Sequence, residues 1–178
     1  MRESVTRERL LAFMKRLAES APRGRRFRVF VVGGGTAVAQ GWRESTIDVD
    51  LYADDEAVFV DIQRIKESQQ VNVEFARPEH FVPPLAGADR RHIFIATFGT
   101  VSFFHYDPYS QTLSKVVRGF RRDLEDAHHF IDTGLVDAAR FRDLVDAIPE
   151  AVFAKYPALS REAVLNGVCT FLASVGEV

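Results

Sequence analysis

Two carboxylates two positions apart, Asp48 and Asp50, follow thirteen residues after an unbroken glycine run, Gly33-Gly34-Gly35. The stretch Ile47-Asp48-Val49-Asp50-Leu51-Tyr52 alternates apolar and polar residues, the period of a half-buried strand. Positions i and i+2 of a strand share a face, so both acids point the same way. Like charges that close repel each other; a divalent cation compensates them, and hard oxygen ligands suit Mg²⁺. A third acid, Glu74, lies in a second alternating run, Val71-Asn72-Val73-Glu74-Phe75-Ala76. It joins the pair if the two strands are neighbours with matched burial. Three such carboxylates could hold two metal ions across a reacting phosphate. The plainer alternative for both strands is an acidic solvent face.

The glycines stand between a β-rich run, Phe27–Val32, and a helix-forming run, Thr36–Gly41. Glycines there remove side chains where the backbone must come close to something, and the exposed N–H groups suit an anion such as phosphate. A tight turn explains a glycine triplet equally well. Two familiar phosphate loops are excluded. Val38 stands where a dinucleotide fingerprint needs its third glycine, and the Gly-Lys-Ser/Thr of a Walker loop is absent. Further along, Lys115, Arg118, Arg122 and Asp126 step by three, four and four, one stripe of a helix. That stripe is either a solvated face or a cationic one turned to phosphate. Arg23, Arg25, Arg26 and Arg28 form a second basic cluster and Arg90 with Arg91 a third, each an ordinary loop or a contact to an RNA backbone. The histidines show no zinc spacing, and no Gly-x-Ser-x-Gly elbow supports a hydrolase triad.

The elements that must position these residues follow from periodicity. Helices are expected over 4–20, 36–41, 55–68, 108–132, 137–148 and 160–174. Strands are expected over 27–32, 47–52, 71–76, 92–98 and 100–106, the last two forming a hairpin at Gly99. Asp107-Pro108 is a helix start with a capping carboxylate, and the helix it opens carries Leu113, Val116, Val117, Phe120, Leu124, Ala127 and Ile131 as its apolar stripe until Thr133-Gly134 ends it. The order is α/β in the first two thirds and helical in the last, an α+β class in which a mixed sheet flanked by helices precedes a C-terminal helical portion. The division expected is 1–108 for the core and 109–178 for the helices.

With 178 residues and 47% hydrophobic content, the chain can bury a core and is not disordered. A net charge of −2 gives no global nucleic-acid footprint, though local basic patches remain compatible with one. The single cysteine, Cys169, precludes an intramolecular disulfide and a thiolate zinc site, pointing to a reducing compartment. The N-terminus alternates charges without a signal-peptide core, and no stretch is apolar enough to span a bilayer. A cytoplasmic location without membrane association is expected.

Val32-Gly33-Gly34-Gly35-Thr36-Ala37, followed by Trp42-Arg43-Glu44-Ser45-Thr46-Ile47-Asp48-Val49-Asp50-Leu51, resembles the signature of the DNA-polymerase-β-type nucleotidyltransferase superfamily. The Gly-Gly-Thr-Ala and Ser-Thr-x-Asp-x-Asp-Leu forms are similar to the small prokaryotic AbiEii-like group, many of whose members are toxins of toxin–antitoxin or phage-defence pairs. The segment Leu113 to Asp126, with a helical lysine and then Arg-Asp-x-x-Asp, is similar to that group too. Together the motifs frame residues 30–130.

The resemblance implies an Mg²⁺-dependent enzyme moving an NMP from an NTP to an RNA (tRNA-like), protein or small-molecule acceptor, with a cognate antitoxin as partner. It implies two metal ions, with Mn²⁺ as a substitute, on Asp48, Asp50 and Glu74. Gly33, Gly34, Gly35, Thr36, Arg43 and Thr46 would surround the nucleotide. Lys115 would reach its phosphates beside Arg118, and Asp123 or Asp126 would orient Lys115 or the substrate. The alternative is the same fold without chemistry, a nucleotide sensor or antitoxin-type regulatory module.

Overall fold

The computed structural model describes residues 3–175. Val5–Thr6 (β1) leads into a first helix, Arg7–Ser20 (α1), whose start is fixed by the Thr6 hydroxyl accepting from the Arg9 N–H at 3.4 Å. Helix formation therefore begins at Arg7, after the short strand, rather than at residue 4. Leu10, Phe13, Met14 and Leu17 form its buried stripe, at the three- and four-residue spacing of one helix face.

A five-stranded mixed sheet stands beside α1. Its members are Phe27–Val32 (β2), Asp48–Ala53 (β4), Asn72–Phe75 (β5), Ile93–Phe98 (β6) and Val101–His105 (β7), in the spatial order β5-β4-β2-β7-β6. Ser45–Thr46 (β3) pairs separately and antiparallel with β1. The central strand β2 runs antiparallel to β4 and parallel to β7; β5 runs parallel to β4; β6 and β7 form the expected antiparallel hairpin. Alternation divides the faces. Val49, Leu51 and Ala53 of β4 and Val29 and Val31 of β2 go into one core with α1 and with Ile62 and Ile65 of a helix over Ile62–Gln69 (α3). Burying a side chain of this size contributes about 1.5–3 kcal/mol, which makes this pattern decide which way the intervening acids face. The helix expected over 55–68 is two pieces, a 3-10 turn Glu56–Phe59 and then α3.

The described chain divides into two units: the chain to Arg77 with His92–Tyr106, and Pro78–Arg91 with Asp107 onward. Compared with a division at 108, the segment 78–91 goes with the helices. In that second unit, Pro108–Arg118 (α4), Arg121–Asp132 (α5), Ala138–Asp146 (α6) and Arg161–Ser174 (α7) are the helices, with a 3-10 stretch over Glu150–Lys155. Asp107 is fully buried and caps α4, accepting from the backbone N–H groups of Tyr109 at 3.3 Å and Ser110 at 3.1 Å. Arg91 grips the same carboxylate with both Nε and Nη2 at 2.8 Å, a bidentate pair that neutralises it.

One expectation fails here. The helix read as continuous over 108–132 breaks at Gly119, which takes φ 70 and ends α4 as a left-handed cap. The stripe expected to run through the break changes with it. Phe120 is 66% exposed, while Asp123 and Asp126 join Ala127 and Phe130 on the buried face of α5.

Candidate active site

Asp48 and Asp50 share one face of β4, and β5 lies beside that strand in the register Asp48↔Asn72 and Asp50↔Glu74. Residues opposite each other in a parallel pair project to the same side. Asp48, Asp50, Asn72 and Glu74 thus form a two-by-two block on the sheet face away from the core of α1 and α3. The Asn72 amide donates to Asp48 Oδ1. Glu74 is exposed on the edge strand.

On the other side of β4, Asp50 is opposite Val32, the last residue of β2, and the chain then turns directly into Gly33–Ala39 (α2). Gly33 takes φ +59, and a Cβ there would stand 2.6 Å from Asp50 Oδ2. A Cβ on Gly34 would collide with Thr46 Oγ1, with Arg43 Nη1 3.7 Å away. These two glycines let the backbone pass against Asp50, Thr46 and Arg43. Gly35 does something else: its Cβ would meet Val31 Cγ1 at 2.7 Å, so its bareness serves packing of α2 on the sheet.

Thr36, expected near a nucleotide, is buried beneath the turn. Its hydroxyl donates to the Val31 carbonyl at 3.1 Å and meets His105 Nδ1 at 3.2 Å. The single hydroxyl proton goes to Val31, so Thr36 accepts from His105, which fixes the imidazole tautomer with its proton on Nδ1. Burial pushes the His105 pKa down from 6.5 to about 4.

In the second unit, Lys115 is 5% exposed and its Nζ lies 2.5 Å from Asp126 Oδ2 and 3.5 Å from Asp123 Oδ1. Arg118 Nε, half-exposed, approaches Asp123 Oδ2 at 3.3 Å. The break at Gly119 makes this cluster possible. Along a continuous helix, eleven residues at about 1.5 Å each would leave Lys115 and Asp126 about 16 Å apart. Arg122 lies on α5, so the expected single basic stripe does not exist; Lys115 and Arg118 belong to α4.

A protein-family model described as "nucleotidyltransferase of unknown function (DUF6036)" matches residues 8–164. The chain belongs to this family. No curated protein and no solved structure matches it significantly.

For a nucleotidyltransferase, the donor chemistry of the β4–β5 block fits a divalent cation: hard carboxylate oxygens at adjacent positions of one sheet face, with a bare backbone against Asp50. The convergence expected of the three acids is not formed, however. Among the described residues no three His, Cys, Asp or Glu side chains gather as a metal-holding group. The acids share a face but not a point: Glu74 lies exposed on the edge strand, while Asp48 Oδ1 accepts from Asn72. The residue that sequence reasoning passed over is Asn72; its signal was its place two before Glu74, as Asp48 is two before Asp50. No helix among the described residues is long and apolar enough to cross a membrane.

Proposed function

We propose that this nucleotidyltransferase moves a nucleoside monophosphate from an NTP to an acceptor hydroxyl. The acceptor oxygen bonds to the α-phosphorus, the bond from that phosphorus to the bridging oxygen of the β-phosphate breaks, pyrophosphate leaves, and the acceptor proton passes to solvent. The observation that carries the proposal is the placement of Asp48 and Asp50 on one face of β4, with Asp50 against the bare backbone of Gly33. Asp48, Asp50 and Glu74 are the residues that would hold two Mg²⁺ ions, or Mn²⁺ in their place. When bound, such ions neutralise triphosphate charge and favour the ionised acceptor. The chain's own part is positional. Asp48 and Asp50 fix where positive charge is accepted, and the Gly33–Gly34 backbone, Thr46 and Arg43 form the cradle assigned to the triphosphate.

Lys115 takes a different role here from the one its motif implies. Two buried carboxylates already neutralise its ammonium, so we assign it to locking α4 against α5. The Asp-x-Asp and Lys…Arg-Asp-x-x-Asp motifs support placing the chain with the AbiEii-like group. That placing carries a cytoplasmic location, a tRNA or protein acceptor, and a cognate antitoxin as partner. Incubation with labelled NTPs, Mg²⁺ and total tRNA or candidate proteins tests the activity: label transfer is expected from the wild type and not from Asp48→Ala/Asp50→Ala. Transfer undiminished in that double variant refutes the assignment.

A second reading, a nucleotide-binding regulatory module without chemistry, is favoured by the unconverged acids and the neutralised lysine. Calorimetric nucleotide binding with no transfer to any acceptor would select it.

A further inference from the structure

We propose that Asn72 is a positioning residue for the metal site, holding one oxygen of Asp48 so that the other is presented outward; this rests on the nucleotidyltransferase reading above. The β4–β5 block has four positions, and three of them are acids. The fourth, opposite Asp48, is an amide whose Nδ2 donates to Asp48 Oδ1. An ionised carboxylate only accepts, so the amide must turn its NH₂ toward it. The main chain of Asp48 is held as well, its carbonyl accepting from Thr46 Oγ1 at 3.0 Å. Side chain and backbone are thereby fixed from separate strands, leaving Oδ2 as the oxygen Asp48 presents. An acid at position 72 would add a fourth like charge, and an apolar residue would leave Asp48 free to rotate. An amide does neither. Partners that orient a ligating carboxylate in this way tune affinity without touching the metal.

The same bond also ties the four-residue edge strand β5 to β4, so a purely structural role must be separable. The experiment titrates Mn²⁺ into the full chain, reading free Mn²⁺ by electron paramagnetic resonance, alongside thermal melting without metal. Wild type, Asp48→Asn, Asn72→Leu and Asn72→Gln are compared. The expected result is Mn²⁺ binding by the wild type, its loss in Asp48→Asn, and affinity weakened about 10–100-fold in Asn72→Leu. Melting of Asn72→Leu should stay near that of the wild type, and Asn72→Gln, which keeps an amide, should regain part of the affinity. Wild-type affinity in Asn72→Leu overturns the proposal, as does an affinity loss that merely follows a fall in melting temperature in both variants. In either case the loss of Mn²⁺ in Asp48→Asn leaves the nucleotidyltransferase reading standing. A wild type that takes up no Mn²⁺ overturns both.

Discussion

Replacing Lys115 by Met tests whether that residue holds the fold or serves a substrate. The substitution keeps side-chain length and removes the cation that Asp126 meets at 2.5 Å and Asp123 at 3.5 Å, all three buried. Breaking a buried ion pair from one side costs about 3–5 kcal/mol, because charge is left in a low dielectric without its counter-charge. Against a total stability of about 5–15 kcal/mol for an ordinary domain, that is a large share. Asp126→Leu should cost less, since Lys115 keeps Asp123. The double variant Lys115→Met/Asp126→Leu should recover much of the loss: an apolar pair replaces the ions, and Asp123 retains Arg118 at 3.3 Å. Urea unfolding of all four proteins closes the cycle, with an expected coupling of about 1–3 kcal/mol. Strictly additive single effects, or a loss below about 1 kcal/mol in Lys115→Met, refute the structural assignment. Transfer activity abolished in a Lys115→Met protein of wild-type stability would return the lysine to the phosphates.

Three further outcomes follow from the geometry. Gly33→Ala must place a Cβ 2.6 Å from Asp50 Oδ2 at φ +59; beyond about 1–2 kcal/mol of left-handed strain, it should displace Asp50 and abolish label transfer in the assay above while circular dichroism remains native. His105 is held near pKa 4 by burial, below its ordinary 6.5, so the unfolded chain takes up this proton first as pH falls. Its contribution is complete above pH 6.5, declines between pH 6.5 and 4, and changes no further below, about 3 kcal/mol across the window; urea unfolding against pH should show this slope, flattened in His105→Gln. Asp107→Ala removes the cap of α4 and leaves Arg91 without its bidentate partner; a loss of about 3–5 kcal/mol is expected by urea unfolding, well above the roughly 1 kcal/mol of a cap alone.

The acidic strand and its orientation were legible because period-two alternation and burial reinforce each other at Val49, Leu51 and Ala53, leaving Asp48 and Asp50 one face to occupy. The start of α4 was legible because Asp107-Pro108 is capping chemistry contained in two adjacent residues. The break at Gly119 was not. Apolar residues at Leu113, Val116, Phe120 and Leu124 continue a helical period straight through it, and only the left-handed φ of Gly119 distinguishes a cap from a tolerated mid-helix glycine. Once the chain turns there, buried aspartates replace the expected apolar stripe, a reversal that polarity alone disguises. The site divides similarly. Asp48 and Asp50 follow from strand period, whereas the places of Glu74 and Asn72 depend on which strand β5 pairs with and in what register, and both are set by long-range contacts.

The turn at Gly119 also limits how this chain can vary in length. Each residue of helix rotates the next by about 100°. One residue inserted inside α5 between Arg121 and Asp123, where the chain is helical, would therefore swing Asp123 and Asp126 about a quarter turn off Lys115. Substitutions on the outer face of α5 should be freely exchanged among relatives. The helical spacing on either side of the turn should not, so a gap falling between Lys115 and Arg118 or between Arg121 and Asp126 in an alignment is a sign of misalignment or of a lost ion cluster.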